Sequence, residues 1–304
     1  MGFLRHIQRC NQHKPEDFVP FIVDAQLVGR FRHAFVERLM DWPDLFSFSE
    51  KGYVSLQQHL RTYAQRSAAI EGVLSALFAA KEHPYLMNEL YPVTARRREE
   101  ALFEIDRSAA ALFGLRAFAQ HVNGIVRKRD GLYMWLGRRA VDKGTFPGML
   151  DQLVAGGLPA AESLQSNLYK ECGEEADIGI ELAQAAVPVG ALSYNIDNER
   201  GYKYDTLYCY DLELPEDFVP RCTDGEVGEF MLLPIAEVQR IVLETDDFKP
   251  NCNLVVIDFL LRHGMITPEH DEYLDLLTGL RPPMQIPRQV KQHDLTHPQS
   301  HINT

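Results

Sequence analysis

The segment from Gly156 to Ile178 constrains the fold of this chain more than any other part of its sequence. It opens with two glycines and continues into a run whose apolar residues recur with helical spacing. Glu171 and Glu175 are four residues apart, so they lie about 40° apart around such a helix and flank its apolar stripe. A merely solvated acidic face would lie opposite that stripe. The pattern therefore indicates carboxylates that are partly buried.

Clustered carboxylates at the edge of a buried helix face repel one another unless cations neutralise them. Glu171, Glu174 and Glu175 offer hard oxygen ligands, which suit Mg²⁺ and also Mn²⁺. The glycines before the helix allow a backbone carbonyl and a substrate to approach closely. The pattern predicts a divalent-metal site with room for water and substrate phosphates; the alternative is a surface helix with a chance acidic cluster.

The composition is that of an ordinary globular protein. The chain has 304 residues, 45% of them hydrophobic, which is enough for two domains with their own cores. A net charge of −12 argues against a nucleic-acid-binding surface. The five cysteines include no C-x-x-C pair, so we expect reduced thiols and a cytoplasmic protein. No apolar run reaches the roughly 20 residues of a membrane helix.

Two units and a tail are predicted along the chain. Residues 1–113 form a smaller α+β unit, in which strand patterns near Phe18 to Val28 precede three helical ones. The helical patterns lie at Arg30 to Met40, Ser55 to Lys81 and Arg96 to Ala111. Residues 114–265 mix strand and helix patterns, which favours an α/β fold with a mixed sheet covered on both faces. Residues 266–304 are predicted to form a C-terminal helix and a polar, disordered tail.

The acidic segment resembles the Nudix box, G-x5-E-x7-R-E-U-x-E-E-x-G-U, where U is an apolar residue. The positions that match in register are Gly156, Glu162, Glu171, Cys172, Glu174, Glu175 and Ile178. Lys170 stands where the family usually has arginine, and it keeps the charge but loses the bidentate fork. Asp177 stands at the usual glycine, and aspartate tolerates a left-handed backbone better than most residues.

The resemblance extends over about residues 15 to 265 and points to one subfamily. The similar stretches are NELYPV (88–93), FGLRAFAQHVNGIV (113–126), PGMLDQLVAGG (147–157) and YKYDTLYCYDLELP (202–215). They look like the Nudix proteins related to the Nudix part of thiamine pyrophosphokinase fusion proteins. The resemblance implies a Nudix α/β/α sandwich behind a smaller α+β domain. It also implies an enzyme that converts thiamine diphosphate, or its oxidised analogues, to the monophosphate.

The resemblance also implies which residues act. The expected metal-binding and catalytic residues are Gly156 through its carbonyl, Glu162, Lys170, Glu171, Glu174, Glu175 and Glu229. Glu171 and Glu175 are the principal ligands, Glu174 is a ligand or the base, and Lys170 and Glu162 support them. For Glu229, which we prefer to Glu226, an acidic loop is an equal alternative.

The residues expected at the substrate pocket are His121, Asn123, Tyr194, Tyr202 and Tyr204. The tyrosine rings suit stacking on a thiazolium or pyrimidine ring, with ordinary sheet packing as the alternative. For His121 and Asn123, the alternative is a hydrogen-bonded structural role.

Two other functions stay compatible with the sequence. One is Nudix hydrolysis of nucleoside diphosphate derivatives, and the other is a non-catalytic Nudix-fold metabolite sensor. The intact set of Glu171, Glu174 and Glu175 argues against the sensor, because a binding module need not keep a repulsive cluster; Lys170 favours it. The N-terminal domain either covers the mouth of the active site or builds a homodimer.

Overall fold

The structure is a computed structural model that describes residues 2–83 and 85–282. The predicted polar tail beyond residue 282 lies outside the described residues. The described chain divides into an N-terminal part, with a four-stranded sheet, a two-stranded sheet and one main hydrophobic core, and a C-terminal part, with a seven-stranded sheet and a main core on each of its faces. None of the described helices combines the length and the apolar character that a membrane crossing requires.

The N-terminal unit is built from short strands and one long helix. Its elements, after an initial helix α1 (Leu4–Cys10), are β1 (Phe18–Val23), β2 (Gln26–Arg32), α2 (His33–Leu39), β3 (Phe46–Ser49), β4 (Tyr53–Leu56), α3 (Tyr63–Ala79), β5 (Leu90–Val93) and β6 (Phe103–Asp106). The first four strands pair in the order β2-β1-β4-β3, and β5 and β6 form a separate antiparallel hairpin. Helix α3 begins at a capping box between Thr62 and Gln65.

The helix predicted over Arg96 to Ala111 is wrong. The chain forms a 3₁₀ turn at Arg98–Glu100, then β6, then a second 3₁₀ turn at Arg107–Ala109. Phe103 and Ile105 alternate into the core, and this two-residue period suits a strand rather than a helix. The helix predicted from Ser55 also begins later, at Tyr63, because residues 53–56 pair with β3 and β1.

The C-terminal unit is a mixed sheet with helices on both faces, which confirms the predicted α/β fold class. Its elements are β7 (Arg116–Lys128), β8 (Gly131–Arg139), β9 (Leu150–Gln152), β10 (Val154–Gly157), α4 (Leu164–Ala176), α5 (Ile180–Ala183), β11 (Val187–Asn198), β12 (Gly201–Glu213), β13 (Val227–Pro234), α6 (Ile235–Glu244), α7 (Pro250–Arg262) and α8 (Tyr273–Gly279). The order is β11-β12-β7-β8-β13, with β10 beside β7 and β9 beside β8. Only β12 and β7 run parallel among these pairs of described strands.

The central strand β7 contributes side chains to the hydrophobic cores on both faces of the sheet. Val122 and Val126 face the core beneath α4, whereas Ile125 faces the core beneath α6 and α7. Helix α1 also contributes Ile7 and Cys10 to the second of these cores, Phe3 at its N-cap joins them, and the helix packs against α7 and α8. The first helix of the chain therefore joins the core of the C-terminal unit.

Candidate active site

Helix α4 carries the acidic cluster, and local sequence defines both of its ends. Ser163 caps the N-terminus by accepting a hydrogen bond from the Ser166 N–H, and the Ser166 side chain returns the contact. The helix ends at Asp177 in the left-handed conformation, with φ 53° and ψ 35°. The N–H of Ile178 then bonds back to the Cys172 carbonyl at 3.0 Å. The prediction that aspartate preserves this helix end is confirmed.

The three glutamates of α4 differ sharply in exposure. Glu175 is 6% exposed, and its Oε2 accepts a hydrogen bond from the Ala155 N–H at 2.8 Å. The side chain of Glu171 is 14% exposed. Glu174 is 46% exposed, so it is the carboxylate that solvent reaches most easily. The prediction of partly buried carboxylates is confirmed for Glu171 and Glu175.

The glycine strand β10 is shaped around Glu171. A Cβ placed on Gly156 would lie 2.2 Å from Cδ of Glu171 and 2.3 Å from its Oε2. Real side-chain contacts do not come so close, so only glycine leaves room for this carboxylate. The backbone of Gly156 and the Glu171 carboxylate are therefore direct neighbours, as the metal-site prediction requires.

The electrostatics of the cluster leave it short of positive charge. Burial raises the pKa of Glu171 to about 7, and the charges of Glu174 and Glu226 add to this effect while Lys170 opposes it. Burial likewise raises the pKa of Glu175 to about 8, although the Ala155 hydrogen bond opposes it. Such carboxylates are stabilised in their charged form by a cation with oxygen affinity.

Lys170 lies beside the cluster, as the resemblance implies. Its Nζ is 3.8 Å from Oε1 of Glu171 and 3.6 Å from Oε2 of Glu174. Glu162 lies just before α4, where its carbonyl accepts a hydrogen bond from Arg98 at 2.6 Å. The structure therefore brings Lys170 to the glutamates and uses the backbone of Glu162 to anchor the loop.

The strand-end glutamates also differ. Glu226 is paired with Lys143 at 2.7 Å, and its charge raises the pKa of both Glu171 and Glu175. The side chain of Glu229 is 59% exposed and pairs with Arg138. Sequence reasoning preferred Glu229; the structure identifies Glu226 as an acidic neighbour of the cluster.

His121 and Asn123 lie on the face of β7 opposite α4. His121 is buried and its Nδ1 is 2.7 Å from Oε1 of Gln152, and burial lowers its pKa to about 4. Asn123 donates a hydrogen bond to Asp211 at 3.0 Å. The His121 ring and the amide nitrogen of Asn123 are thus committed to buried hydrogen bonds within the protein.

The three tyrosines suggested for substrate stacking are buried in the structure. The exposed fractions are 3% for Tyr194, 1% for Tyr202 and 4% for Tyr204. Tyr194 donates a hydrogen bond to Asp205, and Arg116 donates one to the Tyr204 hydroxyl at 2.6 Å. Stacking on a ligand would require these packed rings to leave their present contacts.

A second group of metal-type side chains is formed by His121, Asp151 and Cys252, whose ligand atoms lie within 4.8 Å of one another. Asp151 is already paired with Arg139 at 3.0 Å and with Lys249 at 3.2 Å. Two buried cations at this carboxylate disfavour a further divalent cation. The group is therefore explained as a buried ion-pair network.

The N-terminal unit contacts the loop between β10 and α4. Arg98 donates to the carbonyl of Glu162, and the Ala160 N–H donates to the Leu90 carbonyl at 2.7 Å. At the end of β10, the side chains of Tyr91 and Arg107 lie against Gly157. Sequence reasoning missed Arg107, because an arginine in a misassigned helix carries no local signal of such a contact.

Comparisons with known proteins show which family the chain belongs to. Residues 2–117 match a family model described as a domain of unknown function, DUF4743. Nudix hydrolase 20, chloroplastic, of Arabidopsis thaliana is 44% identical over 290 residues, covering 92% of this chain and 78% of that protein. Nudix hydrolase 24, chloroplastic, of the same plant is 45% identical over 283 residues, with the same two coverages of 92% and 78%.

Among solved structures, the NUDIX domain of Shewanella oneidensis NrtR complexed with ADP ribose aligns with a TM-score of 0.40 at 14% identity, covering 52% of this chain and 94% of that domain. The two plant relatives extend through both units of the chain and share its sequence far more closely. The chain therefore belongs to the Nudix hydrolase family and is an enzyme of that family.

Proposed function

We propose that this enzyme hydrolyses the phosphoanhydride bond of a small organic diphosphate, namely thiamine diphosphate or an oxidised analogue, and releases the monophosphate. The observation that carries the chemistry is the pair of buried carboxylates, Glu171 and Glu175, at the backbone of Gly156. The thiamine-type substrate rests on the resemblance of four further stretches to one Nudix subfamily.

The residues present fit a divalent cation such as Mg²⁺ or Mn²⁺. Glu171 and Glu175 supply hard oxygen ligands whose charge is incompletely balanced by Lys170 alone. Because Gly156 has no side chain, its backbone lies against the Glu171 carboxylate, and its carbonyl and that carboxylate would serve the same ion. Glu174 and Glu226 are further candidate ligands, and Glu229 stays a prediction from the resemblance.

A cation held there supplies charge neutralisation for the diphosphate and activation of the attacking water. The chain's own groups prepare the site for this chemistry. The Ala155 N–H holds one oxygen of Glu175 in place, and Lys170 stands between Glu171 and Glu174. Glu174, the most exposed of the three, is placed to accept a proton from solvent water.

The test is phosphate release from a panel that contains thiamine diphosphate, oxythiamine diphosphate, ADP-ribose and ADP, with Mg²⁺ or Mn²⁺. The wild type and Glu175→Gln are compared, because the variant keeps the shape of the side chain and removes its charge. Metal-dependent conversion of a thiamine-type diphosphate, lost in the variant, is the expected result.

Two outcomes would change the proposal. Turnover of nucleotides alone would keep the diphosphate chemistry and refute the thiamine-type substrate. Binding of these compounds without turnover of any of them would favour a metabolite sensor.

A further inference from the structure

The hairpin of β5 and β6 places two side chains directly on the glycine strand of the active site. A Cβ on Gly157 would lie 2.0 Å from Oη of Tyr91 and 3.1 Å from both Cζ and Nη1 of Arg107. The guanidinium of Arg107 therefore lies against Gly157. Glu171 lies against the preceding residue, Gly156. Groups from both units meet at two consecutive glycines.

Glu171 and Arg107 approach the two glycines from opposite faces of strand β10. Successive residues of a β-strand point to opposite faces, so Glu171 lies on one face of β10 and Arg107 on the other. Among the described strands, β10 pairs only with β7; on its other edge the Ala155 N–H donates to Glu175 and the Gly157 carbonyl accepts a hydrogen bond from Asn167. Because neither glycine carries a side chain, only the backbone of β10 separates Glu171 from Arg107.

Arg107 keeps part of its guanidinium available. Its Nη1 donates to Oε2 of Glu89 at 2.7 Å, and its Cζ lies 5.4 Å from the centre of the Tyr91 ring. The side chain is 38% exposed. A guanidinium has five N–H donors, and within the described chain this single side-chain contact uses one of them.

The charges of Arg107 and Glu171 act on each other across the strand. Burial alone would lower the pKa of Arg107, but Tyr91, Glu89 and Glu171 together raise it. Arg107 in turn opposes the rise in the pKa of Glu171. A permanent cation therefore faces the cluster from the N-terminal unit.

We propose that Arg107 binds a phosphate group of the substrate, so that the active site is completed by the N-terminal unit. This inference rests on the proposed hydrolysis of a diphosphate. One phosphate group would be held by a cation at Glu171, and a neighbouring phosphate would bind the remaining donors of Arg107 beside Gly157. Arginine suits this task because its planar fork can bind two phosphate oxygens at once.

A purely structural Arg107–Glu89 ion pair is the competing explanation, and the chain offers a matched pair for comparison. In the same unit, Arg38 donates to Glu82 at 2.6 Å and also to Asp41, lies 4.7 Å from the ring centre of Trp42 and is 30% exposed. Arg38→Gln therefore removes the same kind of interaction from a site on α2.

The experiment measures KM for the diphosphate substrate and the Mg²⁺-dependent affinity for methylenediphosphonate, a probe that cannot be hydrolysed. Arg107→Gln is expected to raise both KM and the dissociation constant of the probe roughly ten- to hundredfold, the effect of losing a charged hydrogen bond. Arg107→Lys should recover part of the loss. Glu89→Gln should bind the probe more tightly, and Arg38→Gln should match the wild type.

The outcomes separate this inference from the proposed function. Equal losses in Arg107→Gln and Glu89→Gln would show a structural pair and overturn the inference, as would wild-type affinity in Arg107→Gln or a wild type that does not bind the probe. If no organic diphosphate is hydrolysed but the probe binds the wild type and not Arg107→Gln, the proposed function fails and the inference stands.

Discussion

Substituting Gly156 by alanine tests whether the close approach of strand β10 to Glu171 is what makes the metal site. The added methyl carbon would lie 2.2 Å from Cδ of Glu171, whereas ordinary contact begins at 3.4 Å. The carboxylate, or the strand, must therefore withdraw by about 1.2 Å. The backbone conformation itself is no obstacle, because Gly156 is not among the residues with positive φ.

A displacement of this size has a large effect on a reaction that depends on position. A misplacement of about 1 Å can cost on the order of 100-fold in rate. We therefore expect Gly156→Ala to lower kcat/KM by about 100-fold, equivalent to about 2.7 kcal/mol of transition-state stabilisation. Because Glu171 is a proposed ligand, the affinity for Mn²⁺ should fall as well.

The matched control is Gly173→Ala, seventeen residues later on α4 itself. A Cβ on Gly173 meets nothing within 4 Å. Alanine inside a helix is more favourable than glycine, so this variant should gain about 0.5–1 kcal/mol in the free energy of unfolding and keep its activity. Steady-state kinetics, Mn²⁺ titration and urea unfolding of the two variants provide the comparison.

The reasoning is refuted if Gly156→Ala retains kcat/KM and Mn²⁺ affinity within about twofold of the wild type. It is also refuted if Gly156→Ala unfolds so much more easily than the wild type that the loss of activity reflects loss of structure. Equal losses in the two alanine variants would show that α4, rather than the contact at Gly156, is sensitive.

Three further predictions concern metal and stability. In thermal unfolding, Mg²⁺ at about 100 times its dissociation constant should stabilise the wild type by about 2.7 kcal/mol and leave the stability of Glu175→Gln nearly unchanged. A chelator should reverse the gain in the wild type. Equal gains in the two proteins would contradict the role of Glu175 as a ligand. Asp177→Gly should add about 1 kcal/mol to the free energy of unfolding without changing turnover, because glycine adopts the left-handed conformation freely. A lower free energy of unfolding in urea for this variant would disprove the prediction. Asp106 accepts hydrogen bonds from the N–H groups of Met87, Asn88 and Ser108. Asp106→Asn should therefore cost about 1–3 kcal/mol, measured as a lower urea midpoint, and an unchanged midpoint would refute the role.

Elements with a strong local pattern were predictable. The register of Glu171, Glu174 and Glu175 on one helix follows from spacing alone, and so does the hairpin at Asp130 and Gly131 between β7 and β8. The failure at residues 96–111 has a physical cause. A charged run resembles a helix surface, but Phe103 and Ile105 bury themselves with strand periodicity once β5 is available as a partner.

Sequence by itself determined the acidic helix and the mixed α/β composition of the C-terminal unit, because these follow from residue patterns within single elements. Only the tertiary structure decided that Glu171 lies directly against Gly156, that Glu226 approaches the cluster, and that Arg107 covers Gly157. Those contacts join residues distant in the chain. Their formation depends on how distant segments of the chain pack together, and no local periodicity encodes that packing.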